Sequence, residues 1–234
     1  MSSKKALLVV TSHERLGDTG KPTGYYLPEV THPYYALRDA GVEVDIASPK
    51  GGAAPMDPSS GDRKDPANAR FLDTAADRDK VERTARLADV DPSDYDAILF
   101  AGGHGTMWDF REDRDVQRLA AAIHDKGGVV AAVCHGPAAL VDVCLSSGDY
   151  LVAGKRVTGF SNDEEEAAEL TKVVPFLLES ALVERGGRYQ KAGLWQEHVV
   201  TDGRLVTGQN PASAAGVGRA VADLLESAAQ EERS

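Results

Sequence analysis

A cysteine followed at once by a histidine, at the end of the apolar run Val129-Val130-Ala131-Ala132-Val133, carries more potential chemistry than any other pair in this sequence. The run reads as a strand buried on both faces, and Cys134-His135-Gly136-Pro137 as its turn into a helix. Small residues two before and two after the sulfur, Ala132 and Gly136, suit the strained turn of a nucleophile elbow, and Pro137 suits a first helical position. A sulfur so placed points to solvent over the sheet edge, beside a helix N-terminus whose partial positive charge favours the thiolate. The competing reading, a small core hydrophobe, is the commoner fate of a free cysteine, but the strand, the small residues and the proline together weigh against it. Cys144 lies in the apolar stretch Leu140-Val141-Asp142-Val143-Cys144-Leu145 and is assigned to packing. A helical segment between the two cysteines would hold their α-carbons ~15 Å apart, beyond the ~7 Å limit for a bridge, so free thiols in a reducing compartment are expected.

Two more turns follow apolar runs. Ala101-Gly102-Gly103-His104-Gly105-Thr106 comes directly after the run ending at Phe100. Its glycines let backbone N–H groups face outward, as an oxyanion hole needs, or they make only a tight strand-to-helix turn; His104 alone is weak support. Tyr25-Tyr26-Leu27-Pro28-Glu29-Val30 opens the helix after the first strand, where Glu29 by itself is an ordinary first-turn acid. Likewise, Asp163-Glu164-Glu165-Glu166 after Asn162 reads as a solvated helix start. Histidines 13, 32, 104, 124, 135 and 198 form no metal-binding spacing, and neither Gly20-Lys21 nor Gly154-Lys155 completes a phosphate loop, so no metal site is expected.

Apolar runs at 6–10, 42–47, 97–100 and 129–133 alternate with helix-like segments at 29–40, 113–126 and 137–143. That alternation predicts an α/β fold with a parallel sheet between two helical layers, with reactive groups at the carboxyl ends of the strands. Residues 51–94 break the pattern as a polar insertion with one helix near 78–87. Asp202-Gly203 between short β-like runs predicts a hairpin over 199–208. Asn210-Pro211 then caps a last helix running to about Ser227, leaving 229–234 as a frayed tail and 1–228 as one domain. The 26 Lys and Arg against 37 Asp and Glu give a net charge of −11, which opposes binding to nucleic acid. The apolar run at 6–10 is too short for a signal-peptide core or a membrane helix, so a soluble cytoplasmic protein is expected.

Ala101-Gly102-Gly103-His104-Gly105, Ala132-Val133-Cys134-His135-Gly136-Pro137, Leu27-Pro28-Glu29 and Val157-Thr158-Gly159-Phe160 with the acids after it resemble the ThiJ/PfpI superfamily in order and spacing. The similarity spans nearly the whole chain. It is strongest to the heat-shock-protein-type glyoxalase III branch, whose members carry a long insertion after the second strand, as 51–94 does here. The resemblance implies a flavodoxin-like sandwich, a homodimer, and a lyase that converts methylglyoxal or a related 2-oxoaldehyde to lactate with neither glutathione nor a cofactor. It makes Cys134 the nucleophile, His135 the general acid/base and Glu165 the acid that orients the histidine, with Glu164 and Glu166 as alternatives in the same run. Glu29 matches the glutamate that contacts the sulfur, and the N–H groups of Gly103 and His135 match the oxyanion hole. A redox-sensing holdase chaperone using Cys134 as a switch, and a cysteine amidase, peptidase or deglycase, are the alternatives.

Overall fold

The computed structural model describes residues 4–231 and builds the chain around one seven-stranded sheet. In chain order the elements are β1 (Lys5–Val9), α1 (Leu27–Asp39), β2 (Glu43–Ser48), α2 (Pro66–Asp73), α3 (Ala75–Glu82), β3 (Ala85–Arg86) and β4 (Ala97–Phe100). They continue with α4 (Thr106–Asp109), α5 (Arg114–Asp125), β5 (Val129–Val133), β6 (Arg156–Val157), α6 (Asn162–Ala167) and α7 (Leu178–Glu184). The last are β7 (Arg188–Tyr189), β8 (Val199–Asp202), β9 (Leu205–Gly208) and α8 (Ala214–Glu231).

The strand order is β3-β2-β1-β4-β5-β9-β8, parallel throughout except for the β8–β9 hairpin at one edge. This is an α/β fold of the flavodoxin-like type. Every residue of β4 and β5 is buried, which is why these strands read as unbroken apolar runs rather than alternating ones. The sheet is covered by amphipathic helices. In α5 the buried side chains Val116, Leu119, Ala120 and Ile123 recur at helical spacing, and Asp113 caps the helix by accepting from the N–H groups of Asp115 and Val116. Helices α1 and α8 cross at Gly218, where a β-carbon would stand 2.6 Å from Pro33 Cα.

Several elements differ from the sequence reading. The insertion holds two α-helices, α2 and α3, and its end joins the sheet as β3 beside β2. The helix expected near 78–87 stops at Glu82, because Thr84 turns in to hydrogen-bond Ser48 Oγ (2.7 Å) and the Gly52 carbonyl (2.8 Å). The segment after Cys134 is a 3-10 turn over Gly136–Leu140, not the α-helix expected over 137–143. Pro211–Ser213 is also 3-10, and the Asn210 side chain makes no capping bond. Helix α8 runs past Ser227 to Glu231; the rest of the expected frayed tail lies outside the described residues.

Candidate active site

The carboxyl ends of β1, β4 and β5 adjoin in the sheet, so the turns that follow them meet. At the end of β5, Cys134 takes φ 60, a left-handed conformation costing a non-glycine residue about 1–3 kcal/mol. Neighbouring chain holds it there: its N–H donates to the Gly208 carbonyl (2.9 Å) and its carbonyl accepts from the Phe160 N–H (2.7 Å). A β-carbon on Gly136 would overlap the Phe100 carbonyl oxygen, which is the physical reason for a small residue there.

The imidazole of His135 lies between two partners. Its Nδ1 is 3.5 Å from Cys134 Sγ, and its Nε2 is 2.7 Å from Glu165 Oε2. Burial, and then the neighbouring His104, push its pKa down to about 4, so it is neutral at physiological pH. A neutral ring that donates from Nε2 to the carboxylate leaves Nδ1 as an acceptor facing the sulfur. Burial raises Glu165, but the charge and hydrogen bonds of His135 and His104 override it and hold its pKa down to about 2.

Helix α6 presents this acid. Ser161 caps it in a capping box, accepting from the Glu164 N–H while Glu164 Oε2 accepts from the Ser161 N–H. Ser161, not Asn162, is therefore the cap. The acidic run is not uniformly solvated: Asp163 and Glu166 are exposed, whereas Glu164 and Glu165 are buried. Of the three glutamates left open by the sequence, Glu165 is the one that meets His135.

Glu29, at the start of α1, is fully buried beside Cys134 rather than on the surface. Burial pushes its pKa up to about 8; the Cys134 thiol and the Gly102 N–H offset part of that, though neither makes a hydrogen bond of normal geometry to its oxygens. A β-carbon on Gly102 would overlap Glu29 Oε2 and close on His135 N at 2.8 Å, so the first glycine of the turn makes room for this carboxyl.

Cys134 corrects the expected ionisation. Its side chain is not at solvent but 4% exposed, and burial, reinforced by Glu29, raises the thiol pKa well above its ordinary value. The five-residue 3-10 turn that follows supplies little of the dipole a long helix would have aimed at the sulfur. Cys144 is also corrected: it is exposed, on an isolated bridge to Tyr150 after the 3-10 turn has ended.

Gly103 has φ +101, and a β-carbon there would overlap the Gly24 carbonyl. The turns carrying Gly103 and His135 are tied by Thr106, whose Oγ1 lies 3.0 Å from both residues' carbonyl oxygens. The His135 N–H acts on the Cys134 sulfur and favours its charged form. Glu29, Gly103, His104, Cys134, His135 and Phe160 all line one pocket of about 520 Å³.

His104 is the site residue that sequence reasoning undervalued. Its Nε2 is 2.9 Å from Glu165 Oε1, and its ring centroid is 4.0 Å from that of His135. The available signal was its place in the glycine turn just after β4. Among the described residues His104, His135 and Glu165 form the one group whose ligand atoms, all within 4.8 Å of one another, could hold a metal. Both imidazoles already bond the same carboxylate. No helix among the described residues is long and apolar enough to cross a membrane.

A family model described as DJ-1/PfpI matches residues 23–224. The chain is 34% identical over 226 residues to "Glyoxalase 3" of Candida albicans, covering 90% of this chain and 93% of that protein. It is 35% identical over 228 residues to "Glutathione-independent glyoxalase HSP31" of Saccharomyces cerevisiae, covering 92% and 94%. The crystal structure of Candida albicans glyoxalase III matches with a TM-score of 0.85 at 32% identity, over 94% of this chain and 97% of that one. That of the rapid encystment protein REP24 of Francisella tularensis matches with 0.92 at 43% identity, over 95% and 99%.

Proposed function

This chain belongs to the DJ-1/PfpI family, and from that premise and the geometry of its pocket we propose a glutathione-independent glyoxalase that converts methylglyoxal, or a related 2-oxoaldehyde, to lactate. The observation that carries the reading is the relay from Cys134 Sγ to His135 Nδ1 at 3.5 Å and from His135 Nε2 to Glu165 Oε2 at 2.7 Å.

In this reaction the sulfur adds to the aldehyde carbon as His135 Nδ1 accepts the thiol proton. His135 hands that proton to the oxygen of the hemithioacetal, which lies toward the Gly103 and His135 N–H groups, and so becomes a free base again. His135 next takes the proton from the former aldehyde carbon and returns it to the neighbouring carbon through an enediol, leaving a thioester. Water hydrolyses the thioester to lactate and frees the thiol. One substrate carbon is oxidised as the other is reduced, and the net reactant is water, so electrons balance inside the substrate.

Magnitudes favour this order of importance. A thiol of ordinary pKa is already about 3% thiolate at pH 7, so resting ionisation would bring only a ~30-fold gain. An oxyanion donor brings roughly 100- to 1000-fold and acid/base assistance a further 100- to 10,000-fold. With its pKa raised by burial Cys134 holds still less thiolate at rest, so the imidazole must take the thiol proton during attack, and the oxyanion and acid/base contributions carry the rate. Glu29, protonated at neutral pH, sits beside the sulfur without repelling the charge that develops there.

The buried sulfur also favours an enzyme over the oxidation switch, which needs an exposed low-pKa thiol. The homodimer and the cytoplasmic setting expected from the sequence remain part of this proposal, the former checked by light scattering. The activity is tested by incubating purified protein with methylglyoxal in the absence of glutathione and resolving lactate by chiral chromatography. Enantiomerically pure lactate is expected; consumption of the aldehyde without lactate would reject the assignment.

A further inference from the structure

The pocket is built for more than the three-carbon aldehyde. At about 520 Å³ it falls in the ~300–1000 Å³ range that encloses drug-sized ligands, and its lining sets the apolar Phe160, Ala168, Trp195, Pro211 and Ala212 beside the polar Asp57, Ser59 and Asn210. Aromatic rings step outward along the apolar side. The Phe160 centroid lies 4.2 Å from that of His135, and the Trp195 centroid 5.7 Å from that of Phe160.

Trp195 is held there against its own preferences. It is 50% exposed, a large apolar side chain left half in water. Its φ of 61 places it in the left-handed region, in a turn closed from Gln196 N–H to the Gly193 carbonyl at 3.2 Å. Such a position ordinarily takes glycine or asparagine. The chain around it is strapped down. The Trp195 N–H donates to Glu164 Oε1 (3.0 Å), which also accepts from Asn210 Nδ2 (2.9 Å), and Asn210 Nδ2 reaches the Gln196 carbonyl (2.7 Å). Glu164 is fully buried and is the neighbour of Glu165, so one short helix fixes both the acid that meets His135 and the loop carrying this ring. Backbone strain kept by surrounding bonds at the rim of a reactive pocket points to a role for the side chain that bears it.

We propose that Phe160 and Trp195 form a subsite for the substituent on the ketone carbon, which makes 2-oxoaldehydes with an aromatic or bulky apolar substituent the preferred substrate class. The proposal rests on the glyoxalase reading above. The chemistry is unchanged: phenylglyoxal plus water gives mandelate, the aldehyde carbon being oxidised and the ketone carbon reduced through the same Cys134 thioester. Trp195 does not touch the reacting atoms and acts on specificity alone.

The test compares kcat/KM for phenylglyoxal and methylglyoxal in the parent protein and in Trp195→Gly. Glycine removes the ring and relieves the backbone strain, so the variant should fold at least as stably as the parent. Loss of a ring contact exceeds loss of one methylene, so the phenylglyoxal-to-methylglyoxal ratio should fall at least about ten-fold. Trp195→Phe should restore part of it. An unmoved ratio overturns the proposal, and if lactate still forms from methylglyoxal the glyoxalase reading stands without it. Calorimetric binding of mandelate and lactate supplies a readout that needs no turnover. Mandelate should bind more tightly and lose at least about ten-fold in Trp195→Gly, whereas equal affinities in the parent protein would also overturn the proposal.

Discussion

Glu165 Oε2 accepts a 2.7 Å hydrogen bond from His135 Nε2, which fixes the tautomer that leaves Nδ1 free to face Cys134. The carboxylate is therefore a positioning group whose effect is exerted through the imidazole. Glu165→Gln supplies a single oxygen where two imidazoles each need an acceptor, so one ring must change tautomer. A roughly 100- to 10,000-fold fall in kcat is expected with circular dichroism unchanged. A variant within a few-fold of the parent enzyme would remove Glu165 from the relay.

His104 shares that carboxylate and helps to depress the pKa of His135. After burial, its nearby charge is the next cause holding His135 at about 4. His104→Gln should therefore move the acid limb of the kcat/KM profile upward from near pH 4 toward the ordinary 6.5. A limb that stays in place or moves down would contradict this coupling.

Glu29 makes stability depend on pH with a definite sign. The folded protein retains its proton to about pH 8, whereas the unfolded chain releases it near the ordinary 4.5. Between those values the native state binds more protons, so stability falls as pH rises, by on the order of a few kcal/mol. Glu29→Gln removes the ionisation. Its Tm should exceed that of the parent protein at pH 8, and the difference should shrink toward pH 4.5. A Tm gain independent of pH would show that the carboxyl does not titrate in this range.

Gly136 tests the elbow itself. Its missing β-carbon is what lets the turn pass the Phe100 carbonyl oxygen, so Gly136→Ala must displace either β4 or the turn. A loss of about 1–3 kcal/mol in urea unfolding is expected, with activity falling as Cys134 shifts. Unchanged stability and activity would mean that the turn has slack the packing does not suggest.

What the sequence disclosed follows from the kind of interaction involved. The elbow was legible because its requirements are local: a buried β-branched strand, a small residue on either side of the cysteine, and a proline. The succession of unbroken apolar runs and helix-like segments likewise gave the parallel sheet. The ionisation of Cys134 was not legible, because burial and the approach of Glu29 join positions 29, 102 and 134 across three elements. The same holds for Glu165, which could be separated from its neighbours only once Ser161 fixed the phase of α6, and for His104, whose partner is 61 residues away. The insertion was misread because β3 is a two-residue edge strand set by contacts with β2, too short to carry a periodic signal.

The covalent step can be seen directly. Protein quenched in acid during turnover of methylglyoxal, then digested and analysed by mass spectrometry, should carry the acyl adduct on the peptide containing Cys134, and Cys134→Ser should lack both the adduct and lactate formation. Lactate formed at an undiminished rate by Cys134→Ser, or an adduct confined to Cys144, would contradict the account.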